Sequence, residues 1–119
     1  MIAHILTGLV ALEAIYIMYL EMFGAPAQQS KAFEVDEKIL MMPEVKSLFG
    51  NQGVYNGLFG TLILATLFLL HGDQQNLMLI LEMLFVLLAA IYGSLTAARK
   101  IIFVQGLPAL IALVALLIL

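Results

Sequence analysis

An acidic residue stands in the middle of the first apolar stretch of the sequence, where a charge would be costly. Glu13 lies near the centre of Ile2–Phe23, and no Lys or Arg precedes Lys31. A charged side chain at the centre of a bilayer costs on the order of 3 kcal/mol even on lenient scales, so such residues tend to face other helices and carry function. Tyr16 follows on the same face of a helix. We therefore predict that Glu13 is a functional residue and not scaffolding.

Polar side chains in the other apolar stretches fall at a similar depth. Each stretch has one phenol or amide that lies about 6–8 Å from its centre, toward the same side of the membrane, at a rise of about 1.5 Å per residue. Antiparallel helices would bring these groups into one layer, which predicts a polar pocket open on that side. Its predicted ligand-binding residues are Glu13, Tyr16, Glu21, Asn51, Gln52, Tyr55, Asn56, Tyr92, Thr96 and Gln105. No residue is assigned a catalytic role.

Structural roles are the alternative for most of these residues. Tyrosines are enriched at membrane interfaces as an aromatic belt, and Tyr19 fits that belt. Asn and Gln between helices can simply hold them together, at about 0.6 kcal/mol per hydrogen bond. For the amides both interpretations stay open, whereas the central position of Glu13 favours function.

Four apolar stretches would position these residues. A spanning helix needs about 20 apolar residues, and Ile2–Phe23, 52–70, 77–96 and 101–119 qualify. The chain is 64% hydrophobic and 11% charged, whereas a soluble domain is about half apolar and a quarter charged. We therefore predict an all-α membrane protein, residues 1–119 forming a single domain with four transmembrane helices in an antiparallel bundle.

The longest link, residues 24–50, predicts a short amphipathic helix on the cytoplasmic membrane surface. Val35, Ile39 and Met42 recur at helical spacing among charged residues, and Pro43 should end that helix. An irregular loop is the alternative. The glycines of the second stretch, Gly53 and Gly57, have the spacing that lets membrane helices approach closely.

The basic residues predict the orientation. All five lie in the first and third links, at Lys31, Lys38, Lys46, Arg99 and Lys100. By the positive-inside rule these links face the cytoplasm, so both termini face outward, in a bacterial inner membrane. A cleaved signal peptide is not expected, because no basic residue precedes the first apolar stretch.

Composition also excludes several kinds of site. There is no cysteine, so thiol chemistry and thiolate metal sites are excluded, and a net charge of −3 makes nucleic acid an unexpected partner. His4, His71 and Glu82 lack the spacing of a metal site, and we expect neither metal nor cofactor.

The polar motifs resemble those of a known family. They are Leu12-Glu13, Tyr16, Tyr19-Leu20-Glu21-Met22-Phe23, Asn51-Gln52-Gly53-Val54-Tyr55-Asn56-Gly57, Ala90-Ile91-Tyr92-Gly93-Ser94-Leu95-Thr96 and Gln105-Gly106-Leu107-Pro108-Ala109. Over essentially the whole chain, the sequence resembles small bacterial membrane proteins of the domain of unknown function 1304 family. The resemblance implies a four-helix bundle and no established activity, substrate or cofactor. Members often carry His where this chain has Ala14, so chemistry depending on that His is not expected here.

Three hypotheses for function remain open. The first is binding or transport of a small amphipathic molecule, with Glu13 as a protonatable gate; transport by only four helices would favour a homodimer. The second is a structural or partner-binding protein whose polar layer sets helix register. The third is an enzyme acting on a lipid-like substrate, such as an isomerase, with Glu13 as acid or base and Tyr16 or Tyr92 as proton partner. Membrane lipid is the expected partner in all three.

Overall fold

The computed structural model describes residues 1–119, which are mainly helical and contain no strands. The helices are α1 (Ile2–Phe23), α2 (Pro26–Phe33), α3 (Glu37–Leu40), α4 (Pro43–Leu69), α5 (Gly72–Thr96) and α6 (Leu107–Ile118), and a π-helical segment, Ile102–Gly106, leads into α6. Three helices, α1, α4 and α5, are long and apolar enough to cross a membrane. The fourth predicted span corresponds to a shorter apolar helix, Ile102–Ile118.

Large apolar side chains cover the outside of the molecule. Phe68 on α4 and Leu117 on α6 are 75% and 63% exposed, and exposed Leu, Ile and Phe occur on every long helix. A helix that is apolar all round is typical of a membrane span or of the interior of a large protein. In a chain of 119 residues, this pattern indicates a membrane protein.

Glycines on one side of α4 let it lie close to α1. Gly53, Gly57 and Gly60 are all buried. A Cβ on Gly60 would come within 2.6 Å of the backbone oxygen of Ala11, and one on Gly57 would collide with the Met18 side chain. Small residues permit this close approach between helices. The glycine spacing is therefore a packing feature, as predicted.

The link after α1 differs from the single amphipathic helix predicted. It contains two short helices, α2 and α3, and α4 already begins at Pro43. Pro43 lies in the first turn of α4, where its missing N–H and fixed φ are favourable, so it starts a helix instead of ending one. Val35 precedes α3, Ile39 lies within it and Met42 precedes α4. These three residues consequently share no helical face.

Two glutamine side chains satisfy backbone carbonyls at helix ends. The Nε2 of Gln29 donates to the carbonyls of Leu20 and Glu21 at 2.8 and 3.2 Å, and that of Gln75 donates to Leu67 at 3.0 Å. The last carbonyls of a helix have no partner within it. Both amides therefore donate hydrogen bonds to backbone carbonyls at helix ends, where the apolar surroundings offer no other donor.

The helix α6 packs through small residues. Ala109, Ala112 and Ala115 are buried, and α6 contacts both α1 and α5. Pro108 lies in the first turn of this helix. Just before it, the N–H of Leu107 donates to the carbonyl of Ile102, five residues back. Because Pro108 has no N–H to continue the α-helical pattern, the hydrogen-bonded ring gains one residue just before it.

Candidate functional site

Two adjoining cavities open beside Glu13. The first has a volume of about 340 Å³ and the second about 320 Å³, both in the range of small-molecule sites. Their walls share Glu13 and Ile17 of α1 and Gln105 of the π-helical segment. The carboxyl of Glu13 thus borders both spaces.

The first cavity lies between α1, α4 and α5 and combines amides with aromatic rings. Gln52, Tyr55 and Asn56 lie on one face of α4, and Phe59 follows about one turn later. Its ring stacks on Phe85 of α5, with centroids 4.5 Å apart. This cavity therefore combines hydrogen-bonding side chains with an aromatic pair, a mixture typical of ligand pockets.

The second cavity is mainly apolar and has a cation on its wall. Leu20, Phe33 and Val104 are among its lining residues, with Tyr16 and Lys100. The ammonium of Lys100 donates to the backbone carbonyl of Lys31 at 2.6 Å, which ties the link before α6 to α2. An ammonium has three N–H donors, so two remain for other partners.

Glu13 and Gln105 make no side-chain hydrogen bonds within the protein. Both are partly buried. A polar group in apolar surroundings costs free energy unless it has a partner. Their functional groups are consequently available to whatever occupies the cavities, as donors or acceptors for the amide and as acceptors for the carboxylate.

Glu21 lies behind Asn56 and does not line either cavity. Its Oε1 accepts a hydrogen bond of 2.5 Å from Nδ2 of Asn56, and the side chain is buried. This bond orients the Asn56 amide, which itself faces the first cavity. Glu21 was predicted to bind ligand; the structure gives it the geometry of a positioning residue.

The structure brings six of the ten predicted site residues to the cavities. They are Glu13, Tyr16, Gln52, Tyr55, Asn56 and Gln105. Asn51, Tyr92 and Thr96 are exposed and line neither cavity. Tyr92 lies one turn beyond Ala89, the last α5 residue of the cavity wall, and the Thr96 hydroxyl donates to the carbonyl of Tyr92 on its own helix. Residues at a similar depth along their helix axes can therefore point their side chains in different directions, and not all of them reach the cavities.

Sequence reasoning missed Lys100 and the aromatic pair. The basic turn was used only to assign orientation, yet Lys100 lies on the wall of the second cavity. Phe59 and Phe85 carried no signal, because phenylalanine is expected throughout an apolar helix. Pro108 was the one available sign of the irregular backbone at Gln105.

Comparison with known proteins identifies the family to which the chain belongs. Residues 8–117 match the family model described as "Protein of unknown function (DUF1304)". The chain is 41% identical over 112 residues to the uncharacterized protein YpaA of Lactococcus lactis, in an alignment covering 93% of this chain and 92% of that protein. No solved structure matches the chain significantly. The matches span nearly all of both sequences and contain the motifs on which the resemblance rests, so this chain belongs to the DUF1304 family.

Proposed function

We propose that the protein binds a small amphipathic molecule in the two cavities beside Glu13, within the membrane. One observation carries the proposal: two cavities of about 340 and 320 Å³ share Glu13 and Gln105, whose polar groups have no partner in the protein. A purely structural polar layer would be expected to satisfy its own hydrogen bonds. The Asn56–Glu21 pair does so; Glu13 and Gln105 do not.

The charge distribution favours an anionic head group. Lys100 and Glu13 both line the second cavity. Lys100 lies five residues before Gln105, which borders both cavities together with Glu13. Ile17 and Val104 give the same cavity an apolar wall. A ligand with its anion at Lys100, a short apolar chain and its other end near Glu13 fits this polarity.

The membrane arrangement is part of the same proposal. We place α1, α4, α5 and the helix Ile102–Ile118 across the membrane as a four-helix antiparallel bundle. The positive-inside rule supports an orientation with the first and third links, and with them Lys100, on the cytoplasmic side of a bacterial inner membrane. The cavity mouth at Lys100 would then open to the cytoplasm, beside α2 at the membrane surface. Transport would require a second copy, and a homodimer is the expected assembly for it.

Photolabelling with a diazirine-bearing dodecyl phosphate tests the proposal, with the matched diazirine dodecanol as a neutral probe. The protein would be reconstituted in nanodiscs of neutral phosphatidylcholine, and labelled residues mapped by mass spectrometry. Saturable labelling should fall on cavity residues such as Phe33 and Val104. In Lys100→Gln the apparent Kd for the phosphate should rise about tenfold, the equivalent of ~1.4 kcal/mol, while that for the alcohol should not change.

Lys38→Gln is the matched control, because Lys38 is exposed on α3 and lines neither cavity. Unsaturable labelling spread over outward-facing residues such as Phe68, unaffected by Lys100→Gln, would refute the binding site and leave the structural alternative. Chemical conversion of either probe, lost in Glu13→Gln, would instead favour the enzyme alternative.

A further inference from the structure

A second acidic side chain is buried apart from the cavities. Glu82 of α5 is 3% exposed, next to the core residue Met83 and within hydrogen-bonding distance of Thr66 on α4. It lines neither cavity. The facing helices bring no cation to it: α6 has no charged residue, and residues 57–69 of α4 have none. Nothing in the proposed ligand site uses this carboxyl.

The hydrogen-bond geometry around Thr66 determines where a proton must lie. Its hydroxyl oxygen is 3.0 Å from the carbonyl oxygen of Leu62 and 3.0 Å from Oε2 of Glu82. A hydroxyl has one proton to donate, and a carbonyl oxygen can only accept. If Glu82 were ionised, two acceptors would compete for that single proton. If Oε2 carries a proton, Glu82 donates to Thr66, Thr66 donates to Leu62, and both contacts are hydrogen bonds.

The surroundings of Oε1, the other carboxyl oxygen of Glu82, also favour the protonated form. Oε1 of Glu82 is buried without a hydrogen-bond partner. In a carboxylate this oxygen would carry part of an unpaired buried charge, which is far more costly than a neutral oxygen without a partner. In a carboxylic acid it is an ordinary carbonyl oxygen.

We propose that Glu82 is a buried proton-binding site, held as a neutral acid that donates through Thr66 to the Leu62 carbonyl. Phe85 and Val86, three and four residues after Glu82, line the first cavity. The acid therefore lies within about one helical turn of the wall of that cavity.

Infrared spectroscopy of the reconstituted protein tests this proposal. The wild type should have a carboxylic-acid C=O band that disappears in Glu82→Gln and persists in Glu13→Gln. In Thr66→Val the band should shift, because the Glu82 O–H loses its acceptor. Thr61→Val is the matched control, since Thr61 donates only to the carbonyl of Gly57 and should leave the band in place.

A spectrum in which Glu82→Gln loses no acid band overturns the proton site, as does a band that Thr66→Val leaves unshifted. If Glu82→Gln fails to fold, the comparison of Thr66→Val with Thr61→Val still tests the proton site, because both variants keep Glu82. These outcomes are independent of ligand labelling, so the two proposals can fail separately.

Discussion

At the scale of single residues, the polar groups divide into those that bind each other and those without partners. Asn56 and Glu21 form a short hydrogen bond between α4 and α1, and Thr66 and Glu82 form another contact between α4 and α5. Glu13 borders both cavities without a hydrogen bond. This division separates residues that stabilise helix contacts from residues that can recognise a ligand.

Glu13→Gln should alter recognition and not folding. Glutamine keeps the size of the side chain and removes its capacity to ionise. We expect the apparent Kd of the dodecanol probe, which does not itself titrate, to lose any dependence on pH, with an unchanged helical circular dichroism spectrum. An affinity and a pH profile identical to those of the wild type would exclude Glu13 from the site.

Asn56→Ala should mainly lower the stability of the protein, whereas Gln105→Ala should mainly weaken probe binding. Asn56→Ala removes a hydrogen bond to the buried Glu21 and should destabilise the protein by about 1–3 kcal/mol. Gln105→Ala breaks no hydrogen bond within the chain and should weaken probe binding with little change in Tm. Thermal unfolding and labelling on the same samples would compare the two. Loss of stability alone in both variants would support the structural alternative.

At the scale of helices, backbone shape decides which side chains meet. The glycine side of α4 sets its distance from α1, and the π-helical segment sets the direction of Gln105. An α-helical path through residues 102–106 would rotate every residue before α6 relative to those after it. Irregular geometry beside Pro108 is therefore part of the cavity wall, and not only of the packing.

Gly60→Ala tests the close approach of α4 to α1. Its Cβ would meet the backbone oxygen of Ala11 at 2.6 Å, an atom that cannot move without the whole helix. Overpacking of this kind typically costs about 1–3 kcal/mol, measured as a lower Tm in a fixed detergent. Gly50→Ala is the control on the same helix, because no atom lies within 4 Å of its added Cβ. Equal Tm values for the two variants would contradict the packing role.

At the scale of the whole molecule, the helices divide into three that are long enough to span and one that is shorter. The basic residues do not distinguish three spans from four, because all five precede Ile102 and lie on one side in either arrangement. If Ile102–Ile118 did not cross, the C-terminus would share a side with Arg99. The location of one terminus therefore distinguishes the two arrangements.

Single-cysteine labelling can locate that terminus, because the chain has no native cysteine to react. With a membrane-impermeant maleimide on intact cells, His71→Cys and Leu119→Cys should be labelled directly. Lys38→Cys should react only after the membrane is permeabilised. Labelling of Leu119→Cys only after permeabilisation, together with direct labelling of His71→Cys, would indicate three spans and overturn the fourth.

The sequence by itself determined the helical class, the bounds of α1, the end of α5 at Thr96, the family and the importance of a glycine face. These follow from local properties, hydropathy and residue size, that hold whatever the neighbouring helices do. Of the layer predicted from depth along each helix, Glu13, Asn56 and Gln105 line one cavity and Tyr92 does not. Depth measures one coordinate, while the direction of a side chain depends on how the helix is rotated in its contacts.

Only the tertiary structure decided the start of α4 at Pro43, the π-helical turn at Gln105 and the place of Lys100 beside the second cavity. It also paired Asn56 with Glu21 and left Glu13 without a partner. Each depends on which helix presents which face to a neighbour. That choice arises from close packing and from the need of every buried polar group for a hydrogen bond, and both involve residues far apart in the chain.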